Sequence, residues 1–268
     1  MDLENKGAEI SARNEKYLRH LQGLVQIPSV SSVNDEHTDW SRFDELHQYL
    51  QTTYPMIYQK LELTVIGKAN LLFRWPSENP DRKPVLLMAH QDVVPAGREE
   101  QWRRPPFAGE VEDGFLWGRG SEDCKSLLSA EMDAVEELLE EHFKPSFDIY
   151  LSFGHNEEVQ CTPDKKGSIL AAEYLKRNGV ELACIFDEGG NIIDNESGVR
   201  AEVALAEKAP NEFVLYKDGD GGHASRPGKG TVLGDIARAA AAVEEHPMPY
   251  RLTPLVKAFL KAEARFKD

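Results

Sequence analysis

The sequence Pro84-Val85-Leu86-Leu87-Met88-Ala89-His90-Gln91-Asp92 joins an apolar run to a histidine and a carboxylate. A short apolar run of this kind indicates a buried β-strand, and the functional side chains of open α/β sheets collect where the strands end. Imidazole and carboxylate groups are ligands of Zn²⁺ in proteins. This segment therefore predicts a strand that carries metal ligands at its carboxyl end.

The composition indicates a folded protein without a nucleic-acid or membrane partner. Of the 268 residues, 41% are hydrophobic and 29% are charged, which is ordinary globular usage. A net charge of −15 disfavours contact with nucleic acid or anionic membranes. The first residues contain no apolar leader, and no stretch has the length of a membrane span. The chain is expected to be neither secreted nor anchored, and to be cytoplasmic by default.

Cysteine usage points away from a cysteine-based site. The three cysteines, Cys124, Cys161 and Cys184, are odd in number and have no CxxC spacing. This pattern indicates neither a disulfide framework nor a cysteine zinc site.

Strand and helix patterns alternate along the central part of the chain. A helical pattern over 126–143 comes first and is followed by apolar residues at strand spacing over 147–153. A second helical pattern ends at Asn178-Gly179 and is followed by an apolar run over 182–186. This order predicts right-handed crossovers and a partly parallel sheet in an α/β fold. Upstream, the patterns predict two helices and a hairpin, over residues 17–25, 40–50, and 60–66 with 70–75.

The pattern changes after about Lys208. A strand is predicted over 213–216, followed by a glycine-rich turn and by helices around 236–243 and 254–266. We therefore predict a main domain over residues 1–208 and part of a second domain over 209–268.

Further acidic residues follow the predicted strands. Glu157 and Glu158 follow the second strand, Asp187 and Glu188 follow the third, and Asp123 lies at the start of the long helix. A carboxylate has two oxygens and can bridge two cations, and Asp123 is the candidate bridge.

Neighbouring acids in this set have different predicted roles. Of Glu157 and Glu158, one can bind metal while the other accepts a proton from water. Asp92 lies on the same strand face as His90 and can accept its imidazole N–H.

Each motif also has a structural interpretation when it is taken alone. His90 with Asp92 fits a core histidine beside a carboxylate, and Asp123 fits a helix cap. Glu157 with Glu158 fits a solvated surface pair. Asp187 with Glu188 fits a loop pair, and a glycine-rich turn such as that around His223 is often a hairpin connection. The shared location of His90, Glu157 with Glu158, and Asp187 with Glu188 at strand ends favours the metal site.

Five motifs together resemble the M20 family of metallopeptidases. They are residues 88–95, Trp102 with 105–107, residues 117–125, residues 154–158 and residues 186–190. The resemblance is greatest to the carboxypeptidase S branch, which includes Gly-X carboxypeptidases and N-acyl amino acid hydrolases. The resemblance covers about residues 17–250. It implies a phosphorylase/hydrolase-like, mostly parallel sheet flanked by helices, of the zinc peptidase type, with part of an inserted α+β lid domain.

The resemblance also implies roles for individual residues. It implies two Zn²⁺ ions held by His90, Asp123 as the bridge, Glu158 and Asp187, with Glu188 as an alternative to Asp187. The mixed oxygen and nitrogen ligands would also suit manganese or cobalt. Glu157 matches the general base, and Asp92 matches the residue that orients the histidine. The segment 221–227 resembles a lid motif of the family, and His223 matches the histidine of that motif. In the family, this histidine stabilises the oxyanion, often in the active site of a partner subunit. Family members often form homodimers through the lid. Cys124 stands where many relatives have a second aspartate or an asparagine.

The implied activity is hydrolysis of an amide bond next to a free carboxylate. Substrates would be peptides, for a carboxypeptidase or dipeptidase, or N-acyl amino acids. In the family, a further histidine ligand follows the lid, and no histidine of this sequence fills that place. The alternative is therefore a truncated, catalytically inactive metal-binding or regulatory relative, or an incomplete gene model. A serine hydrolase is disfavoured because no GxSxG motif is present.

Overall fold

The computed structural model describes residues 3–79, 81–195, 198–205, 213–223, 225–226 and 230–264. The chain divides into two compact units, Met1–Glu188 and Gly189–Asp268. The domain boundary predicted between residues 208 and 209 lies outside the described residues, and the assignment of the domains stays a prediction.

The N-terminal unit contains a central sheet with helices on both faces. Its helices are α1 (Leu3–Val25), α2 (Trp40–Thr53), α3 (Pro55–Lys60), α4 (Lys125–Glu140) and α5 (Gly167–Arg177). The strands of the sheet are β1 (Glu62–Ile66), β2 (Asn70–Trp75), β3 (Val85–His90), β6 (Ile149–Gly154) and β7 (Cys184–Phe186). They lie in the order β1-β2-β6-β3-β7.

Four of the five strands run in the same direction. β3 pairs in parallel with both β6 and β7, while β2 is antiparallel to β1 and to β6. The carboxyl ends of β3, β6 and β7 therefore lie at one edge of the sheet. The predicted α/β class with flanking helices is confirmed.

Alternate side chains of the strands contribute to two separate cores. Leu71, Phe73, Leu151 and Phe153 pack against α1, α2 and α4, whereas Leu72, Leu86 and Tyr150 pack against Ala171 and Leu175 of α5. Because side chains alternate along a strand, a central sheet with helices on both faces buries both sets. The two cores hold the strand ends in place.

Two elements of this unit were absent from the sequence expectations. α3 begins at Pro55, where a helix end was predicted, because proline is tolerated in the first turn of a new helix. The hairpin of β4 (Glu110–Glu112) and β5 (Phe115–Trp117) turns at Asp113 and Gly114, whose φ angles are 55° and 81°.

The described residues of the second unit form a hairpin and two helices. The hairpin pairs β8 (Ile192–Asn195) with β9 (Gly198–Ala201). The helices are α6 (Val232–Glu245) and α7 (Pro254–Glu263), and their N-caps, Thr231 and Thr253, each accept a backbone N–H.

The strand predicted over residues 213–216 is wrong. This segment pairs with no strand of the described residues, and Phe213 and Val214 are 82% and 88% exposed. Its apolar composition is typical of a strand, but no strand of the described residues lies beside it to form the hydrogen bonds of a sheet. Among the described helices, none has the length and apolar character needed to cross a bilayer.

Candidate metal centre

Three strand ends and one loop bring the candidate ligands together. His90 is the last residue of β3 and pairs with Gly154, the last residue of β6. Glu157 and Glu158 lie in the loop after β6, and Glu188 lies in the loop after β7. Asp123 comes from the loop that leads into α4.

His90 is the buried centre of this group. Its Nε2 atom lies 2.9 Å from Oδ1 of Asp123 and 3.4 Å from Oε2 of Glu188. Burial opposes a charged imidazole, but Glu188, Asp92 and Asp123 outweigh it and raise the pKa of His90 to about 10. The surrounding carboxylates thus favour positive charge at this point, as a cation site requires.

The partner that orients His90 differs from the predicted one. His90 Nδ1 lies 2.9 Å from the backbone oxygen of Asp92 and 3.7 Å from its carboxylate. The backbone carbonyl therefore accepts the Nδ1 proton, which leaves Nε2 for a metal. The buried Asp92 carboxylate instead accepts the backbone N–H groups of Glu157 and Glu158, at 3.2 and 3.1 Å.

His90, Asp123 and Glu158 form a set that fits a divalent cation. One ligand atom from each lies within 4.8 Å of the other two. Imidazole nitrogen with carboxylate oxygens suits zinc, and also manganese or cobalt. Burial raises the pKa of Glu158, and the negative charge of Asp123 raises it further. A cation would relieve that repulsion.

Glu157 lies next to this set and outside it. Its side chain is exposed. Although the residue is exposed, desolvation of its carboxyl group raises the pKa of Glu157; the charge of His90 opposes the rise, and the charge of Glu188 adds to it. A carboxylate with a raised pKa at the edge of a metal site is suited to accept and return a proton.

The loop after β7 brings the carboxylate of Glu188 to 3.4 Å from His90 Nε2. A second set of candidate ligands consists of His90, Cys124 and Glu188. The hydrogen bond from His90 lowers the pKa of Glu188. Asp187 Oδ1 accepts the backbone N–H of Glu188 at 2.9 Å. The charge of Asp187 also adds to the effect of burial in raising the pKa of Glu131 to about 8.

His223 belongs to the second unit and is exposed. Its Nδ1 accepts the backbone N–H of Ser225 at 3.3 Å and lies 2.7 Å from the Ser225 hydroxyl oxygen. With Nδ1 acting as an acceptor, the neutral ring carries its proton on Nε2. His223 thus presents an N–H donor.

Lys125 is a supporting residue that the sequence reasoning missed. It is fully buried, and its Nζ donates to the backbone oxygens of Leu24 and Ile27 at 2.9 and 2.6 Å. Burial lowers the pKa of Lys125 to about 7. A lysine at the start of a helix opposes the helix dipole, and this is the signal by which the sequence could have revealed it.

Comparison with known proteins identifies the family of this chain. The profile of Peptidase family M20/M25/M40 matches residues 86–265. Carboxypeptidase S from Saccharomyces cerevisiae is 38% identical over 245 residues, which are 87% of this chain and 42% of that protein. The human N-fatty-acyl-amino acid synthase/hydrolase PM20D1 is 36% identical over 85% of this chain and 46% of its own length. The chain spans less than half the length of these curated relatives.

Solved structures show the same fold. The di-peptidase Dug1p from Saccharomyces cerevisiae has a TM-score of 0.53 at 19% identity, over 70% of this chain and 41% of that one. The M20 family metallo-carboxypeptidase Sso-CP2 from Sulfolobus solfataricus has a TM-score of 0.50 at 20% identity, over 66% and 38% of the two chains. Because the family profile matches more than half of the sequence, the chain belongs to peptidase family M20/M25/M40.

Proposed function

We propose that this chain carries the metal centre of a hydrolase that cleaves amide bonds next to a free carboxylate. The observation that carries the proposal is the set of His90, Asp123 and Glu158 donors within 4.8 Å of one another, at the sheet edge that also bears Glu157. The substrates are peptides or N-acyl amino acids. The names of the two curated relatives, a carboxypeptidase and an N-fatty-acyl-amino acid synthase/hydrolase, support this class.

In this proposal, the centre would hold two zinc ions, and Asp123, which has two carboxylate oxygens, would be the ligand that they share. His90 and Glu158 are terminal ligands, and each offers a donor that zinc prefers. The fourth ligand is Glu188, because its carboxylate lies 3.4 Å from His90 Nε2. Asp187, which the family motif indicates, is the alternative.

The residues of the chain then have separate chemical tasks. A bound divalent cation lowers the pKa of water and polarises a carbonyl group. Glu157 accepts the proton of the attacking water and delivers it to the leaving nitrogen as the C–N bond breaks. Asp92 keeps Glu157 and Glu158 in place through their backbone N–H groups. His223 donates a hydrogen bond from its Nε2–H group to the oxyanion. In a homodimer, this histidine would come from the lid of the partner subunit.

The test combines metal analysis with turnover. Purified protein is analysed for bound metal, and hydrolysis of a dipeptide and of an N-acyl amino acid is measured with zinc and with a chelator. We expect two ions per chain and turnover that the chelator abolishes. Absence of both bound metal and turnover would instead identify a catalytically inactive relative.

A variant separates proton transfer from metal binding. Glu157→Gln should lower kcat by about 100-fold or more, because general base catalysis contributes about 10²–10⁴-fold. Its metal content should stay that of the unmodified protein. Glu141→Gln, at an exposed glutamate after α4, is the matched control and should keep full activity. Unchanged kcat in the Glu157 variant would contradict the assigned base.

A further inference from the structure

We propose that Cys124 is itself a metal ligand, and that its thiolate completes the coordination of the ion held by His90 and Glu188. The inference rests on the proposed function, because it adds a ligand to the same metal centre. It gives a role to a residue that the predicted ligand set does not include.

The position of Cys124 carries this inference. One ligand atom each from Cys124, His90 and Glu188 lies within 4.8 Å of the other two. Cys124 directly follows Asp123, so two successive residues offer an oxygen and a sulfur to the surroundings of one imidazole. The residue is 1% exposed. It precedes the first turn of α4, and its side chain makes no capping hydrogen bond there. The thiol is therefore not used as a helix cap.

The other two cysteines differ from Cys124 in their burial and in their absence from the candidate ligand sets of the described residues. Cys161 is half-buried, Cys184 is exposed, and neither occurs in a candidate ligand set of the described residues. The chain thus offers its own controls, since a ligand role for sulfur should depend on one of three cysteines.

A thiolate would change which metal the centre prefers. Thiolate ligands favour zinc, whereas all-oxygen surroundings suit manganese and magnesium. When the ion binds, it replaces the thiol proton, which passes to solvent. A Cys124 ligand therefore biases the site towards zinc and cobalt and against manganese.

Cobalt absorption tests the Cys124 ligand without any measurement of activity. Co²⁺ is titrated into the metal-free 268-residue protein, and the visible and near-ultraviolet spectra are recorded. Visible d–d bands report that Co²⁺ is bound, while a sulfur-to-cobalt charge-transfer band in the near ultraviolet reports a thiolate ligand. We expect both in the unmodified protein. C124S should keep the visible bands and lose the charge-transfer band, and the double variant C161S/C184S should keep both.

The outcomes separate this inference from the proposed function. Visible bands without a charge-transfer band in the unmodified protein, or a charge-transfer band that persists in C124S, overturn the Cys124 ligand and leave the metal centre intact. Absence of all cobalt bands overturns the proposed function and this inference together.

Metal affinities give a second measurement. C124S and C124A should weaken Zn²⁺ binding by about 100-fold, since loss even of groups that only support a ligand costs about 10–100-fold. Mn²⁺ binding should weaken much less. Circular dichroism checks that both variants are folded. Equal losses for the two metals in folded variants would contradict a thiolate ligand.

Discussion

Gln91 links the strand end that carries His90 to three other segments. The residue is fully buried, and its side-chain nitrogen donates to the backbone oxygens of Ala69 and Phe153 at 2.7 and 2.6 Å. Its side-chain oxygen lies 2.7 Å from Nε2 of His47. Because Gln91 stands between His90 and Asp92, these bonds hold both residues in position.

Gln91→Met should destabilise the protein with little change in side-chain volume. The substitution removes the side-chain donor that bonds two buried carbonyl groups, and loss of a hydrogen bond to a buried group costs about 1–3 kcal/mol. We expect the free energy of unfolding in urea, measured on metal-free protein, to fall by about 2–4 kcal/mol. Gln48→Met, at an exposed site on α2, is the control and should change it by less than about 0.5 kcal/mol. Equal effects would show that the hydrogen bonds of Gln91 are unimportant.

The choice between Asp187 and Glu188 is also decided at the residue scale. Glu188→Gln should weaken zinc binding by about 100-fold, and Asp187→Asn should weaken it much less, because the Glu188 carboxylate faces His90. Competition with a chromogenic chelator measures both. A larger loss in the Asp187 variant would restore the assignment that the family motif indicates.

The family resemblance indicates Asp187 with Glu188 as the alternative, and the sequence pattern could not decide between them for a physical reason. Alternation along a strand predicts which side chains share a face, but it stops where the strand ends. β7 ends at Phe186, and the chain then turns through Gly189 and Gly190, whose φ angles are 122° and 83°. Only the backbone path of that loop decides which carboxylate reaches His90.

At the scale of elements, Asp148 connects the start of β6 to the end of β2. Its carboxylate accepts from Arg74 Nε at 2.8 Å and from the backbone N–H of Ser77 at 2.7 Å. Partial burial alone would raise the pKa of Asp148, but the hydrogen bonds from Ser77 and Arg74 lower it below the ordinary value of 3.8. The ionised form is therefore the one that stabilises this junction.

The stabilisation by Asp148 should depend on pH in a defined direction. A pKa that is lower in the folded state stabilises the fold above the unfolded-state pKa, and this contribution is lost as the pH falls through the folded-state value. Asp148→Asn should therefore lower the free energy of unfolding by about 1–2 kcal/mol at pH 7. The difference should shrink below about pH 4. Urea unfolding across this range measures it, with the exposed Asp81→Asn as the control. A difference that grows in acid would refute the assignment.

The central elements could be predicted because their apolar patterns are long and buried. β3, β6, α4 and α5 bury their apolar faces, so periodicity in the sequence matches their structure. The β4 and β5 strands have three residues each and are largely exposed, so they leave no such pattern. The segment 213–216 has the apolar pattern that predicts a buried strand, but its residues are exposed. The pattern therefore led to a wrong prediction there.

At the scale of the whole molecule, every proposed metal ligand lies in the N-terminal unit. His90, Asp123, Cys124, Glu158 and Glu188 all fall within Met1–Glu188. The sequence pattern and the family resemblance indicate His90, Asp123 and Glu158, with Asp187 or Glu188 as a further ligand, because each follows an apolar run or precedes a helix; this ligand set stays a prediction. The support from Lys125 and Gln91 was missed, since polar residues carry no pattern that shows which backbone carbonyls they reach.

Zinc should stabilise the folded protein as a whole. A ligand that binds only the folded state stabilises it by about 2.7 kcal/mol at 100 times its Kd. We expect zinc to raise Tm by several degrees, the chelator to reverse the rise, and His90→Asn to abolish it. Differential scanning calorimetry measures the three effects, with Glu141→Gln as the control. An equal zinc response in the His90 variant would locate the binding elsewhere.

Assembly of the centre from three strand ends and a loop has a consequence for biosynthesis. At about 5–20 residues per second, the roughly 100 residues between His90 and Glu188 take about 5–20 s to translate. During that interval, the earlier ligands are exposed to cellular metals without their last partner. Faithful loading of the proposed site must therefore wait until β7 has left the ribosome and joined the sheet.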